Sequence, residues 1–359
     1  MMIFLKGLGF GSFARQTVYT LEKYRNLRDL NLIKRAMSDK KRPVVYVTRI
    51  VPQKGVDLLS EKCEVRQWKS SDPVPREEFL KQVAGVDAFF CLLTEKIDAE
   101  VLDAAGPNLK AIGSMAVGFD HVDLAECKKR NIPVGFTPNV LTDATAELTV
   151  SILLAASRRI VEGAHEVKSG GWGTWDPCWL LGQGLHNSTV GLIGTGRIGQ
   201  AVMNRLVPFR PRRFLFSDKY ESDACLTIGE YVEMDTLLTE ADFVISCTNL
   251  TPETTRMFNK NTFAKMKSNA ILVNSSRGPV VDMMDLYEAL KSGQIRAAAL
   301  DVTVPEPLPP SHPLLTLKNL VVVPHIGSAT EEARTDMATL TARNILAVLE
   351  GKEMPAQLT

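Results

Sequence analysis

Residues 190–199 of this 359-residue chain read Val-Gly-Leu-Ile-Gly-Thr-Gly-Arg-Ile-Gly, a strand-like start followed by three glycines at G-x-G-x-x-G spacing. We expect Gly194 to make a tight turn and Gly196 to let the backbone approach a pyrophosphate. Gly199 would let the following helix pack closely on the strand. The start of that helix supplies free N–H groups for the phosphates. The stretch therefore predicts a dinucleotide-binding unit.

The end of the next strand, near residues 214–216, bears on the choice between NAD and NADP. Ser217 stands where an acidic residue would bind the ribose 2′-hydroxyl, while Asp218 comes one position later and Lys219 follows. Ser217 with Lys219 would suit a 2′-phosphate, whereas Asp218 would oppose one. We expect NADP(H) to be the favoured cofactor, with NAD(H) as the alternative.

Strand-like apolar runs alternate with helical stretches on both sides of the fingerprint, which predicts parallel sheets covered on both faces. The strands are expected near residues 44–48, 63–68, 88–93, 110–113, 190–193, 214–216, 243–247, 270–273, 297–300 and 320–323. One long helix is predicted over residues 142–159 and a closing helix over residues 331–349.

The chain is therefore predicted to be an α/β protein with two Rossmann-like domains linked by long helices. A flavodoxin-like substrate domain, which acts as the lid, comprises residues 43–140 and 331–359. The dinucleotide-binding domain comprises residues 141–330, and its first part, residues 141–182, is expected to be a dimerisation arm.

Composition excludes several classes of protein. With 45% hydrophobic and 23% charged residues the chain is globular rather than fibrous or wholly disordered. No apolar run approaches the roughly 18 residues that span a membrane, and a net charge of +1 gives no case for nucleic-acid binding. The six cysteines form no C-x-x-C pair, which predicts free thiols and no metal site.

Residues 1–42 differ in charge from the rest of the chain, since they carry +7 and the remainder carries −6. This basic segment is interpreted as an extension outside the fold, either a mitochondrial-type transit segment or an upstream addition before Met37. We expect a cytoplasmic protein, or a mitochondrial one if the segment acts in targeting.

Three polar residues each follow a different strand of the predicted dinucleotide-binding domain. Arg277 follows the strand near 270–273, Glu306 lies beyond the strand at 297–300, and His325 follows the last strand. Because parallel strands present their carboxyl ends at one edge of a sheet, these side chains are expected to converge on the nicotinamide.

With these segments in view, the chain over residues 43–359 resembles the D-isomer-specific 2-hydroxyacid dehydrogenases. The resemblance rests on Met-Ala-Val-Gly-Phe-Asp at 115–120, the fingerprint, and the segments around Arg277, Glu306 and His325. The Gly-Gly-Trp-x-x-Trp loop at 170–175 points to the subfamily that reduces glyoxylate and hydroxypyruvate.

The resemblance implies a mechanism for reducing a 2-keto acid to a D-2-hydroxy acid. Arg277 would bind the carboxylate and polarise the ketone, and His325 would donate the proton. Glu306 would hydrogen-bond the other ring nitrogen and favour the imidazolium. The N–H groups of Val117 and Gly118 would bind the carboxylate.

The remaining site residues follow from the same resemblance. Leu93 would line the substrate pocket, and Trp175 would reach it from the partner subunit of a homodimer. Asp301 would hold the nicotinamide carboxamide. The residues expected to contact the cofactor are Gly194, Thr195, Gly196, Arg197, Ile198, Gly199, Ser217, Lys219, Thr248, Ser275, Asp301 and Gly327.

Two alternatives remain open at this point. A phosphoglycerate-type dehydrogenase would need further cations and usually a regulatory domain, for which the 34 residues after His325 leave no room. A non-catalytic corepressor that senses nicotinamide could use the same fold, but such proteins carry a long disordered tail. Glu306 disfavours a formate dehydrogenase, where Gln is expected.

Overall fold

The computed structural model describes residues 42–219 and 223–358, so that nearly all of the basic extension lies outside the described residues. The N-terminal sheet unit contains five short strands: β1 (Val44–Val47), β2 (Glu64–Gln67), β3 (Ala88–Cys91), β4 (Ala111–Ser114) and β5 (Val134–Gly135). Its helices are α1 (Gln53–Lys62), α2 (Arg76–Gln82), α3 (Ala99–Ala105) and α4 (Leu124–Lys129).

Two helices, α5 (Thr142–Ser157) and α6 (Ile160–Ser169), lead to the C-terminal sheet unit. Its strands are β6 (Thr189–Ile193), β7 (Arg213–Ser217), β8 (Glu230–Tyr231), β9 (Phe243–Ser246), β10 (Ile271–Asn274), β11 (Ala297–Leu300) and β12 (Leu320–Val322). The helices between them are α7 (Arg197–Leu206), α8 (Asp223–Leu226), α9 (Met234–Glu240), α10 (Lys260–Phe263) and α11 (Met283–Lys291), and α12 (Glu331–Leu349) follows the last strand. Short 3-10 turns occupy Val207–Phe209, Gly278–Val280 and Pro313–Thr316.

Both sheets are parallel. The first has the order β2-β1-β3-β4-β5, which is the flavodoxin-like order, and the second has the order β12-β11-β10-β9-β6-β7-β8. In the second sheet the strand order reverses beside β6, so that the crevice at the carboxyl ends of β6 and β9 is where a ligand is expected. The predicted α/β class with two Rossmann-like sheets is confirmed.

Burial explains why continuous apolar runs marked the strands. All five residues of β6 and all four of β9, β10 and β11 are buried, because helices cover both faces of the sheet. Each sheet therefore has two apolar cores, one on each face.

The helix α12 joins the two units, since it begins after the last strand of the second sheet and packs against α1 and β4 of the first. Close approach is possible because small residues face it: a Cβ added at Gly113 would lie 2.8 Å from side-chain atoms of Ile345. The buried amide of Asn344 donates to the carbonyl of Phe136 (2.9 Å) and accepts from the N–H of Ala356 (3.0 Å). The bounds predicted for this helix are confirmed.

The helix predicted over residues 142–159 is confirmed except at its last two residues, where the structure shows a break. The helix α5 ends at Ser157, and Arg159 adopts a left-handed conformation with φ of 53° before α6 begins at Ile160. The Arg159 guanidinium binds Glu162 at 2.8 Å and 2.9 Å within the new helix. A polar residue at a helix break gives no periodicity signal, and so the pattern could not show it.

The structure also shows the state of the cysteines and the apolarity of the helices. All six cysteines are free thiols, and Cys178 alone among them is exposed. Within residues 42–219 and 223–358, no helix has the length and apolarity needed to cross a membrane.

Candidate active site

The fingerprint forms a turn between β6 and α7 that fits a dinucleotide pyrophosphate. Gly194 has φ of +95°, and a Cβ there would lie 2.7 Å from the carbonyl of Cys247, so that a side chain is excluded on two counts. Gly196 instead faces open space, since a Cβ on it would meet nothing within 4 Å. Among the residues that the structure describes, no side chain caps the N-terminus of α7. The N–H groups of its first turn are thus available to phosphate oxygens, and the residues of this turn fit a dinucleotide pyrophosphate.

Asp218 is held by the fingerprint loop. Its Oδ2 accepts hydrogen bonds from the N–H (2.6 Å) and the hydroxyl (2.8 Å) of Thr195, and its Oδ1 accepts from the N–H of Lys219 (2.7 Å). Ser217 is buried as the last residue of β7, whereas the side chain of Lys219 is exposed. Both Ser217 and Lys219 therefore lie beside the fingerprint at the end of the adjacent strand, where they were expected.

The loop that carries Arg277 is shaped by a buried amide at the end of β10. The Asn274 Oδ1 accepts from the N–H (3.1 Å) and hydroxyl (2.7 Å) of Ser276, and its Nδ2 donates to the carbonyl of Arg277 (2.9 Å). Ser275 contacts Thr149 on α5, with 2.6 Å between the hydroxyl oxygens. These bonds fix the backbone from which the guanidinium extends into the cleft between the units.

His325 and Glu306 form a hydrogen-bonded pair in which the ring Nδ1 lies 2.5 Å from the carboxylate Oε1. Burial would raise the pKa of Glu306, but the bond to His325, the N–H of Thr303 and the charge of Arg277 outweigh it, so that the pKa is lowered. Glu306 is therefore ionised at neutral pH, and its carboxylate holds the ring of His325 at Nδ1. The Nε2 of His325 has no partner within the described part of the chain and is the nitrogen left for a substrate.

Asp301 holds the His325 loop in place. Its two carboxylate oxygens accept from the N–H groups of Ile326 (2.7 Å) and Gly327 (2.9 Å), and its carbonyl accepts from the N–H of His325 (2.8 Å). Burial raises the pKa of Asp301, and the two N–H donors offset only part of that effect. Asp301 therefore holds the backbone of the loop that carries His325.

The loop after β4 faces Arg277 from the opposite unit. Within the described residues the N–H groups of Val117 and Gly118 have no acceptor, and so they are available to a carboxylate. A Cβ on Gly118 would lie 1.6 Å from Nη2 of Arg277, which means that only glycine admits the guanidinium here.

The cleft brings together most of the residues predicted from the sequence. Those lining it are Leu93, Val117, Gly118, Ile198, Thr248, Ser275, Arg277, Asp301, His325 and Gly327. Glu306 reaches the cleft through His325, while Gly194, Thr195, Gly196, Arg197, Gly199, Ser217 and Lys219 belong to the fingerprint region beside it. Trp175 is 80% exposed and does not line the cleft of its own chain.

Two charged residues of the cleft were missed. Arg334, in the first turns of α12, lines the cleft. Its guanidinium makes no hydrogen bond or ion pair with the described residues, and burial lowers the pKa of this group. Asp120 lies opposite Arg277. Asp120 could have been predicted as a site residue because it is the last residue of the segment 115–120, which carries the family resemblance. Arg334 could have been predicted because it lies only nine residues after His325.

A cysteine, Cys247, also lines the cleft, but burial raises the pKa of its thiol to about 12, which excludes a thiolate nucleophile.

Comparison with known proteins supports the assignment that this geometry indicates. Residues 150–327 match the profile of the D-isomer specific 2-hydroxyacid dehydrogenase NAD binding domain. The chain is 51% identical to the glyoxylate reductase/hydroxypyruvate reductase of Mus musculus over 318 residues, which cover 88% of this chain and 97% of the relative. This chain belongs to the D-isomer specific 2-hydroxyacid dehydrogenase family. The corresponding protein of Homo sapiens is 52% identical over the same coverage.

Solved structures are similar to this chain over 88–89% of its length. A protein from Thermus thermophilus superposes with a TM-score of 0.84 at 45% identity and covers 88% of this chain and 100% of its own. An NADPH-dependent glyoxylate/hydroxypyruvate reductase from Sinorhizobium meliloti, in complex with NADP and malonate, gives a TM-score of 0.78 at 26% identity and covers 89% of this chain and 97% of its own. The recognition of the family from residues 43–359 is confirmed.

Proposed function

We propose that this member of the family reduces glyoxylate to glycolate and hydroxypyruvate to D-glycerate with a reduced nicotinamide cofactor. The observation that carries the proposal is the convergence of Arg277 and the His325–Glu306 pair at one cleft, opposite the free N–H groups of Val117 and Gly118. A cationic fork, a proton donor and an amide nest are what a 2-keto carboxylate requires. The names of the two mammalian relatives support the same substrates.

When bound, the nicotinamide supplies a hydride for C2 of the keto acid. Arg277 would hold the substrate, because its Nε and Nη1 already donate to Asp120 and to the carbonyl of Ser276, and Nη2 is left for the carboxylate and the ketone oxygen. The positive charge that Arg277 brings to the ketone oxygen makes C2 more electrophilic.

His325 would complete the reduction by proton transfer. Its Nδ1 is held by Glu306, and so Nε2 is the atom that donates a proton to the ketone oxygen as that oxygen becomes a hydroxyl. Ionised Glu306 stabilises the imidazolium before transfer and fixes the ring orientation afterwards. In the oxidation direction neutral His325 takes the proton back.

Initial-rate kinetics test this proposal. Purified protein is assayed with glyoxylate, hydroxypyruvate and pyruvate, each with NADPH and with NADH. Turnover of glyoxylate and hydroxypyruvate in clear preference to pyruvate is expected. Absence of turnover of both with either cofactor would overturn the proposal.

The cofactor we propose to be favoured is NADPH, with NADH as the weaker alternative. Because the oxygens of Asp218 already accept from Thr195 and Lys219, this carboxylate has less capacity to bind the ribose hydroxyls that NADH would present. The exposed Lys219 beside it would attract a 2′-phosphate.

Replacing Asp218 with Asn should sharpen the preference for NADPH. The amide oxygen can still accept from Thr195, but the negative charge near a 2′-phosphate is removed. Two unit charges about 4 Å apart in water interact by about 1 kcal/mol, and the NADPH-to-NADH ratio of kcat/KM should therefore rise about fivefold. Asp235→Asn, which alters a surface acid on α9 paired with Lys265, is the matched control. A fall in the ratio would show that Asp218 does not oppose the phosphate.

We further propose that the protein is a homodimer formed through α6 and the tryptophan-rich loop. No residue of α6 is buried by the described part of the chain. The exposed apolar side chains of this surface are Ile160, Val161, Val167, Trp172, Trp175, Trp179 and Leu181. A patch of this kind marks a subunit interface, and Trp175 would then approach the partner's cleft and limit substrate size.

Sedimentation equilibrium tests the assembly. We expect a mass twice that of the 39.6 kDa chain, and a shift towards the monomer when Val161 and Val167 are both replaced by Glu. Glu at Ile50, an exposed apolar position outside α6, is the control. A monomeric wild-type protein would exclude the dimer and the proposed role of Trp175.

A further inference from the structure

An ion pair crosses the cleft between the two sheet units. The Asp120 Oδ1 accepts from Nε of Arg277 at 2.9 Å. Asp120 lies in the loop after β4 of the first sheet, and Arg277 lies in the loop after β10 of the second. The pair therefore links the loop that offers N–H groups to a substrate carboxylate with the side chain that binds the same carboxylate.

The carboxylate of Asp120 is unexpected in a cleft that binds anions. The cleft is lined by Arg277 and Arg334 and is suited to anions, so an unpaired Asp120 would repel a keto acid. Burial would raise the pKa of Asp120, but the charge and hydrogen bond of Arg277 outweigh burial and lower the pKa. Asp120 is accordingly ionised, and its charge is directed at Arg277. The neighbouring His121 has its Nε2 3.0 Å from the hydroxyl of Ser114 and does not share this carboxylate.

The bond to Asp120 also orients the guanidinium. The Nη1 of Arg277 donates to the carbonyl of Ser276 at 2.9 Å, which with the Nε bond fixes the plane of the group at two atoms. The third nitrogen, Nη2, then lies against Gly118 in the amide nest. We infer that Asp120 is a positioning residue, which holds Arg277 so that Nη2 meets the substrate carboxylate at the Gly118 loop.

This inference rests on the proposed reductase function, since it concerns how Arg277 is presented to a keto acid. It also implies that the two units must be close for the site to be complete, because the acceptor and the donor of the bond belong to different units. The Asp120 side chain is 37% exposed and that of Arg277 is 23% exposed, and so the pair should contribute little to global stability. The effect of removing Asp120 should appear in catalysis and not in unfolding.

A double-mutant cycle tests whether Asp120 acts through Arg277. We expect Asp120→Ala to lower kcat/KM for hydroxypyruvate by about 10- to 100-fold, because a misplaced binding group costs up to about 100-fold. In the Arg277→Ala background the same change should lower kcat/KM by less than about twofold. Equal losses in the two backgrounds, or no loss in Asp120→Ala alone, would overturn the inference.

Further variants separate orientation from folding. Asp120→Asn keeps an oxygen that can accept from Nε and should recover most of the lost kcat/KM. If it is as impaired as Asp120→Ala, the positioning role is contradicted. In every variant the thermal midpoint of unfolding and the NADPH dissociation constant should match those of the wild-type protein. If Asp120→Ala does not fold, Asp120→Ser is used in its place.

The two proposals fail in different ways. Wild-type protein that reduces neither hydroxypyruvate nor glyoxylate refutes the reductase function itself. Wild-type protein that does reduce hydroxypyruvate, with additive losses in the cycle, refutes only the role of Asp120.

Discussion

Replacing His325 with Gln should lower kcat for the reduction of hydroxypyruvate by about 10²- to 10⁴-fold, the range that general acid catalysis contributes. Glutamine can still hydrogen-bond Glu306, which holds Nδ1 of the histidine at 2.5 Å, but its neutral amide cannot transfer a proton to the ketone oxygen. The fold should survive, because the loop is fixed by backbone bonds to Asp301 rather than by the ring.

The measurement is steady-state kinetics with a fluorescence titration of NADPH binding beside it. Binding of NADPH should be unchanged while turnover is lost. His186→Gln, which alters an exposed histidine outside the cleft, is the control and should retain wild-type turnover. A His325→Gln protein with more than about a tenth of wild-type kcat would be incompatible with His325 as the proton donor.

Arg277→Lys should lower kcat/KM for glyoxylate and hydroxypyruvate by about 10²- to 10³-fold, the cost of removing one preorganised donor of an oxyanion site. Lysine keeps the positive charge but loses the planar fork, and one ammonium cannot replace the separate bonds to Asp120, to Ser276 and to the substrate. The loss should appear in both KM and kcat, since Arg277 is assigned both the carboxylate and the ketone.

A matched substitution shows whether the loss is specific to the cleft. Arg213→Lys changes an arginine on β7 whose partners are the surface acids Glu230 and Glu240, and it should leave kcat/KM within about twofold of wild type. If Arg277→Lys behaves like Arg213→Lys, a positive charge alone suffices and the role assigned to the oriented guanidinium of Arg277 is wrong.

The parts of the fold that follow from local pattern could be predicted from the sequence. The strand before Gly194 is a continuous apolar run because both of its faces are buried. Gly199 is needed because a Cβ there would lie 2.1 Å from the carbonyl oxygen of Gly194, five residues earlier. Arg277, Glu306 and His325 were found because each follows a strand of one parallel sheet, and parallel strands end at a common edge.

What could not be predicted depends on contacts between the units. Asp120 faces Arg277 only because two separate sheets close on one cleft, and neither spacing nor periodicity encodes that distance. Arg334 enters the cleft because α12 passes it on the way back to the first sheet. The role of Asp301 in holding the N–H groups of Ile326 and Gly327 likewise required the backbone geometry of the loop.

The configuration of the product is the most direct test of the central claim, that this cleft reduces a 2-keto acid on one face. Hydroxypyruvate is reduced to completion with NADPH, and the glycerate is resolved on a chiral column. Membership of the D-isomer specific 2-hydroxyacid dehydrogenase family predicts D-glycerate as the sole enantiomer. Formation of L-glycerate, or no glycerate from a folded protein that binds NADPH, would contradict it.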